Sequence, residues 1–466
     1  MPKHRPSNHF GEVFPPVPFD AERYAKRRRQ VFRQLGEDVL LLYNPPEAHR
    51  THDLFYRYRP DSDVYYLTGF EEPEAVVLLV GGPCPRFIMF VRPRDPEREM
   101  WDGLRAGVEG AVTCYGADEA FPIESFDAEI GRYLEHARTL YFKFGRDEQF
   151  NQRVLTAFRA AARRRHRQGP APGIIRDTLP LLGRMRLVKD ADELLRMRRA
   201  ADIAAEAHLR AMERARPGQY EFEVEAELEY VFRKRGALGS SYTSIVGSGP
   251  NATILHYNTN NSRLRDGDLL LIDAGAEYGY YASDITRTFP VGRRFTPAQR
   301  DIYDLVLQAQ KAAIAAVQPG ARFNAYHEVA LDTLIDGLRH LRLLSGSHDE
   351  IRELRTYLKY YMHRAGHWLG SDVHDACTYF TAETHDGQYL YEKLRPGCVV
   401  TVEPGLYFAP GVNDTPEHYI GIGVRIEDDV LVTRTGNEVL TAAVPKEVAD
   451  IEAIRCAALT EEGNHA

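Results

Sequence analysis

Asp273 closes the apolar run Leu269-Leu-Leu-Ile, and Asp284 follows in Ala282-Ser-Asp284-Ile-Thr-Arg-Thr-Phe289, with Glu277-Tyr-Gly279 between them. Folded as a hairpin turning at 277–279, the segment makes the two aspartates cross-strand partners about 5 Å apart on one face. Carboxylates opposed beside an apolar strand repel each other, and burying them unpaired is costly, so the pair calls for a cation. A metal ion meets that need; exposed strand-end aspartates in another register are the competing reading. The pattern recurs in Val399-Val-Thr-Val-Glu403-Pro-Gly-Leu-Tyr407 and Gly421-Ile-Gly-Val-Arg-Ile-Glu427-Asp-Asp429, two apolar strands each interrupted by one glutamate. Arg425 and Glu427 share a face because strand side chains alternate. An ion pair of Arg425 with one glutamate accounts for two of these residues and leaves the other acid over.

Three of the 17 histidines, His363, His367 and His374, fall within 12 residues. His363 and His367 have the i, i+4 spacing of helical zinc ligands, but Gly366 and Gly370 argue against a regular helix, and no glutamate fills the HExxH position. A cluster of surface histidines is the plainer alternative. Four carboxylates with one imidazole make a hard, oxygen-rich site, better suited to Mn²⁺ or a similar divalent ion than a thiolate zinc site is. Carboxylates shared between ions about 3.5 Å apart are how two-metal hydrolases are assembled.

The elements that must position these groups come from a chain of 466 residues, long enough for two or more domains. The clearest break is Gln168-Gly-Pro-Ala-Pro-Gly173. Before it, Val39–Tyr43, Val64–Leu67, Ala75–Val80 and Phe87–Val91 read as buried strands, with helices over Ala21–Leu35 and Asn151–Arg164, a small α/β domain. After it, Asp190-Ala-Asp-Glu193 caps a helix that Pro217-Gly218 closes, and Phe222–Tyr230 reads as a second helix. Val246–Ile254, Leu269–Ala274 and Tyr280–Phe289 read as strands, Pro297–Val317 as a helix, and the chain beyond Lys359 as strands again. That is an α+β layout with helices collected on one face of a mostly antiparallel sheet. The expected boundaries are 1–172, 173–450 and a tail of 451–466, with Glu461–Ala466 disordered.

Composition narrows the classes. With 44% hydrophobic and 27% charged residues this is a folded globular chain. The net charge is −8, and residues 1–175 hold 26 basic and 25 acidic side chains against 33 and 42 beyond, the reverse of a nucleic-acid footprint. The run Arg163-Arg-Arg-His-Arg167 reads as the solvated end of a helix. No apolar run approaches the ~20 residues of a membrane helix. The start, Met-Pro-Lys-His-Arg-Pro-Ser7, lacks the apolar stretch of a secretory signal, which points to the cytoplasm. Five widely spaced cysteines, with no CxxC pair, read as reduced thiols.

Taken in order, Ile254-Leu-His256-Tyr, Leu271-Ile-Asp273-Ala-Gly, Ser283-Asp284-Ile-Thr-Arg-Thr-Phe-Pro290, His367-Trp-Leu-Gly-Ser-Asp-Val-His374-Asp, Thr401-Val-Glu403-Pro-Gly-Leu-Tyr407 and Gly423-Val-Arg-Ile-Glu427-Asp-Asp resemble the proline-specific metallopeptidases of the pita-bread fold, and within them the aminopeptidase P (Xaa-Pro aminopeptidase) family. Tyr58-Arg-Pro-Asp-Ser-Asp-Val-Tyr-Tyr-Leu-Thr-Gly-Phe70 is similar to that family's N-terminal domain. The likeness runs from roughly 20 to 445 and implies a C-terminal pita-bread catalytic domain behind a smaller α/β domain. It implies that Asp273 chelates one metal, Asp284 and Glu427 bridge two, and His367 and Glu403 complete the other. The ions would be Mn²⁺, with Co²⁺, Zn²⁺ or Fe²⁺ as alternatives. His363 and His374 would stand beside the scissile bond, His256 and Arg425 in the pocket wall near the proline, and Tyr242 and Tyr407 would help shape that wall. Glu403 is the candidate to accept the attacking water's proton, and His374 to stabilise the oxyanion. The resemblance also implies a homo-oligomer, dimer or tetramer, acting on peptides with proline second and on neither nucleic acid nor membrane. Prolidase shares the motifs but carries an arginine-bearing insertion after Val-His-Asp; Ala376–Lys393 contains no arginine, which favours a subsite open to longer peptides. A non-enzymatic pita-bread binding protein and a creatinase-like amidinohydrolase are the remaining alternatives, and both lack the ligand set present here.

Overall fold

The computed structural model describes residues 19–168, 171–383 and 389–460. It divides into two units, 1–185 and 186–466. The division falls beyond the expected break at 172. Ile174–Arg176 adds a parallel strand beside Thr139–Tyr141, and Leu181 and Leu182 fill the first unit's core, so chain past the Pro-rich stretch still belongs to that unit.

In the first unit six strands run in the spatial order Glu119–Pro122, Arg86–Val91, Ala75–Val80, Val39–Asn44, Thr139–Tyr141, Ile174–Arg176. The three central strands pair antiparallel and the outer ones parallel. Leu40, Leu42, Val77 and Leu79 face one core, and Val39, Leu41, Val76 and Leu78 face another, which is why these strands read as unbroken apolar runs. Val64–Leu67, expected as a strand, lies inside the helix Ser62–Thr68. The Asp61 carboxylate accepts the N–H groups of Asp63 and Val64, Gly69 ends the helix in the left-handed region, and every residue between is buried. Strong caps at both ends outweigh the β-propensity of Val-Tyr-Tyr. The basic run ends the helix Glu148–Gln168; its side chains from 164 onward lie outside the described residues, as do Met1–Ser7 and Glu461–Ala466.

In the second unit Asp190 caps the helix Ala191–Arg214 through a capping box with Glu193, and the helix Glu221–Lys234 packs beside it. The helices Pro297–Ala316 and Ala325–His340 form a second pair, in such close approach that a Cβ on Gly337 would stand 2.1 Å from Leu305 Cδ1. Two three-stranded antiparallel sheets carry the chemistry: Ile245–Ser248, Leu269–Asp273, Thr286–Pro290, and Val399–Val402, Asp428–Val432, Asn437–Val439. The expected strand over Val246–Ile254 stops at Ser248, where Pro250 lies in a 3₁₀ turn over Gly249–Thr253. The expected tail from 451 is also corrected. The helix Val448–Ala458 buries Ile451, and Arg455 donates to the carbonyls of Pro290 and Ala215 at 3.0 and 2.9 Å, so the unit extends through it. All five cysteines are free, and no helix of the described residues is long and apolar enough to cross a membrane.

Candidate metal centre

The hairpin carrying the aspartates keeps one register throughout: Leu269↔Pro290, Asp273↔Thr286, Glu277↔Ala282, Tyr278↔Tyr281. Its turn is Gly279-Tyr280, both with positive φ (57° and 65°), the two-residue turn matched to strand twist, rather than 277–279. The register therefore slips by two residues from expectation. Asp273 faces Thr286, and Asp284 is its diagonal neighbour. A slip of two preserves the face, so both carboxylates still point the same way. The Tyr242 hydroxyl spans the diagonal, within hydrogen-bonding distance of Asp273 Oδ1 and Asp284 Oδ1. Burial and the two aspartates push its phenol well above 10, so it stays protonated as their donor.

The second pair follows the same logic. Val402↔Asp428 and Gly405↔Arg425 belong to one register, so Glu403 and Glu427 fall opposite each other where the two ladders meet. His367 comes from a third extended segment, 365–369, held along Val399–Val402: Thr401 N–H donates to His367 O at 3.0 Å, and Glu403 N–H to Ala365 O at 2.9 Å. A Cβ on Gly366 would sit 2.0 Å from Thr401 O, so glycine is required for that approach. As the glycines suggested, His363 and His367 lie on no helix. His367 Nδ1 bonds the Trp368 carbonyl at 3.0 Å, which turns Nε2 towards Asp284 Oδ2 (3.3 Å) and Glu403 Oε1 (3.6 Å).

The donor atoms of Asp284, His367 and Glu427 lie within 4.8 Å of one another, all buried. Burial and the surrounding carboxylates lift Glu427 well above the usual carboxylate range. Burial raises Asp284 against the pull of His367, and takes Glu403 to about 7 against His367 and Arg425. Burial disfavours the His367 cation, but Asp284 and Glu403 outweigh it and raise this imidazole to about 9. Acids this crowded, facing an imidazole whose Nε2 is aimed at them, need positive charge among them. The hard donor set fits divalent metal. Around Asp273, Arg425 Nη2 holds Oδ2 at 2.7 Å and Tyr242 takes Oδ1. Arg425 thus pairs with an aspartate rather than either glutamate, and its Nε meets Thr286 Oγ1 (3.1 Å), which donates to Glu427 Oε2 (2.6 Å).

Tyr242, His256, Asp273, Asp284, His363, His367, His374, Glu403, Arg425 and Glu427 line one cavity of ≈ 780 Å³, together with Ile245, Leu255, Val373, Tyr379 and Phe380. Tyr407, expected in the wall, is instead fully buried behind it. Its hydroxyl accepts from Arg425 Nη1 at 3.0 Å and stands 2.9 Å from His363 Nε2, whose Nδ1 bonds the Arg364 carbonyl. Burial and the Arg425 cation push His363 down to about 3; burial and His367 take His374 to about 4. Three supporting residues escaped the sequence reading. Thr286 and Thr401 bond the glutamates, and Arg287 bonds the carbonyl of Glu427. Period-two spacing places Thr286 on the face of Asp284 and Thr401 on that of Glu403; nothing local marks the partner of Arg287.

Two acid-bearing hairpins and one imidazole converging on an apolar cavity define a metallohydrolase centre. The chain belongs to metallopeptidase family M24, whose family model matches residues 195–434, and residues 24–141 match the aminopeptidase P N-terminal domain. Xaa-Pro aminopeptidase of Haemophilus influenzae is 42% identical over 438 residues, 92% of this chain and 96% of its own. The Escherichia coli Xaa-Pro aminopeptidase is 40% identical over 440 residues, 94% and 98% of the two chains. The solved structure of Pseudomonas aeruginosa aminopeptidase PepP superposes with a TM-score of 0.90 at 46% identity, covering 96% of this chain and all of that one.

Proposed function

We propose that this chain is a dinuclear metal-dependent aminopeptidase that hydrolyses the Xaa-Pro bond and releases the N-terminal residue of peptides with proline second. The observation that carries the reading is the convergence of Asp284, His367 and Glu427, with Glu403 beside them, in one cavity of an M24 chain that also has the aminopeptidase P N-terminal domain. Asp273, Asp284, His367, Glu403 and Glu427 would hold two divalent ions, Mn²⁺ before Co²⁺, Zn²⁺ or Fe²⁺. Bound metal supplies an acidified water and a polarised substrate carbonyl.

The side chains do the rest. Glu403, buried beside His367, accepts the water's proton and returns it to the leaving proline nitrogen. His374, neutral, donates to the oxygen where charge develops. An Xaa-Pro bond is a tertiary amide with no N–H, so recognition must come from shape. His256, Val373, Tyr379 and Phe380 provide walls for the ring. His363 would stand beside the scissile bond, backed by Tyr407 and, through it, Arg425. Tyr242 and Arg425 act by fixing Asp273. The family resemblance supports a homo-oligomer, dimer or tetramer, and the sequence pattern of the first residues is the ground for a cytoplasmic location.

The test compares an Xaa-Pro-Yaa tripeptide with an Xaa-Pro dipeptide, using metal-stripped protein with and without Mn²⁺. Manganese-dependent cleavage favouring the tripeptide supports the reading, and dipeptide-only cleavage makes the protein a prolidase. No cleavage of either by folded, metal-loaded protein overturns it.

A further inference from the structure

A second buried charge cluster lies behind the loop that joins His367 to His374. The side chains of Arg186, Lys189 and Asp375 are 3%, 1% and 1% exposed. Arg186 Nη2 donates to Asp375 Oδ1 (2.6 Å), Asp372 Oδ2 (2.6 Å) and Ser371 Oγ (2.8 Å), and Lys189 Nζ donates to Asp375 Oδ2 (3.0 Å). Both oxygens of one carboxylate are thus taken by cations from a single short stretch of chain. Backbone bonds close the same loop. Asp375 N–H donates to Trp368 O at 2.9 Å, Gly370 N–H to Asp372 O at 3.1 Å, and Ala282 N–H to Gly370 O at 2.9 Å, two residues before Asp284. A Cβ on Gly370 would stand 2.2 Å from Asp375 Oδ2, so the loop closes this tightly only around glycine.

The imidazole of His374 is held differently. Among the described residues its ring makes no hydrogen bond; it lies against His367 with ring centroids 4.1 Å apart, and the rest of it, partly desolvated, opens on the cavity. Its position is therefore set by its backbone, and the next residue is the anchored Asp375. A buried carboxylate between two cations adds little net stability, because desolvation offsets the attraction, but it tolerates little movement. We propose that Asp375, clamped by Arg186 and Lys189, is a positioning residue for the reaction, fixing the backbone that aims His374 into the cavity and acting on substrate only through that imidazole. The inference rests on the Xaa-Pro aminopeptidase reading and on the role given there to His374.

A double-mutant cycle on the full-length, Mn²⁺-loaded protein tests it. Asp375→Asn and Lys189→Met are each made with His374 intact and with His374→Ala, and kcat and KM for an Xaa-Pro-Yaa tripeptide are measured alongside bound metal and the urea midpoint. With His374 intact, Asp375→Asn lowers kcat by about tenfold or more, KM changes little and metal content holds; Lys189→Met, which leaves Arg186 on Asp375, shows a smaller loss of the same kind. In the His374→Ala background neither substitution lowers kcat by more than about twofold. Should Asp375→Asn fail to fold, Lys189→Met carries the cycle. Wild-type kcat in the folded variants, or equal losses with and without His374, overturns the positioning role while the functional reading stands. A wild type that cleaves no Xaa-Pro bond overturns the functional reading, and this inference with it.

Discussion

Arg287 offers the sharpest test of how the acid-bearing strands are held. Its side chain and that of Asp428 are both 0% exposed, with Nη2 on Asp428 Oδ1 at 2.7 Å. Nη1 reaches the carbonyls of Thr286 and Glu427, and Nη2 that of Val444 at 3.0 Å, so one guanidinium ties the strand of Asp284 to that of Glu427. Arg287→Met leaves the Asp428 carboxylate in the interior with Lys446 Nζ (2.6 Å), Gln310 Nε2 (2.8 Å) and Thr441 Oγ1 (2.7 Å). Removing one partner of a buried pair costs about 3–5 kcal/mol, and with Lys446 retained the lower end applies, about 3 kcal/mol. That is roughly 150-fold in the folding equilibrium and, at an m-value of about 3 kcal/mol/M, about 1 M in urea midpoint. Tryptophan fluorescence suits the assay, because Trp368 is buried in the second unit and Trp101 is 83% exposed.

Two further readouts bear on the same mechanism. Burial would raise Asp428, but Arg287 and Lys446 outweigh it and hold it below the usual value of 3.8. A depressed carboxylate contributes stability present above that ordinary value and lost as pH falls through the folded one. The gap between wild type and Arg287→Met should therefore narrow on acidification below pH ~4. Adding Asp428→Asn should recover part of the lost stability, since the charge Arg287 answered is gone. An unmoved urea midpoint, or a double variant no more stable than the single one, would refute the reasoning. Bound metal should fall in Arg287→Met, because the Glu427 carbonyl loses its tether.

Asp284→Ala should abolish activity and lower bound metal by elemental analysis while the circular dichroism spectrum stays near native; unchanged metal and rate would end its assignment as a bridging ligand. His363 and His374, pushed down to about 3 and about 4, stay neutral above pH ~5, so the acid limb of kcat/KM should show no step near 6.5 that His374→Ala removes. Tyr407→Phe strips Arg425 Nη1 and His363 Nε2 of a shared partner and should lower kcat/KM by about 5- to 150-fold, the cost of stranding a buried polar group, with metal content unchanged. Gly366→Ala drives a Cβ into Thr401 O, so thermal unfolding should come several degrees earlier and metal should be lost with the displaced His367.

What local pattern could settle was already present in the chain. Asp273, Asp284, Glu403 and Glu427 interrupt apolar strands, and the alternation of strand side chains puts each pair on one face even after a two-residue slip of register. The six ordered motifs place the chain among the proline-specific metallopeptidases. The cap at Asp190 marks where one of the long helices begins. Tertiary structure decided the rest, because the deciding contacts join residues far apart in sequence. A turn at Gly279-Tyr280 set the register, and caps on Ser62–Thr68 turned a strand-like run into helix. Arg425 chose Asp273 over a nearby glutamate, Tyr407 moved from the wall to behind it, Arg287 found Asp428, and Arg186 and Lys189 found Asp375. Alternation tells which face a side chain takes; only the packed fold tells what stands opposite it, since a buried charge goes to the counter-charge that folding brings within reach.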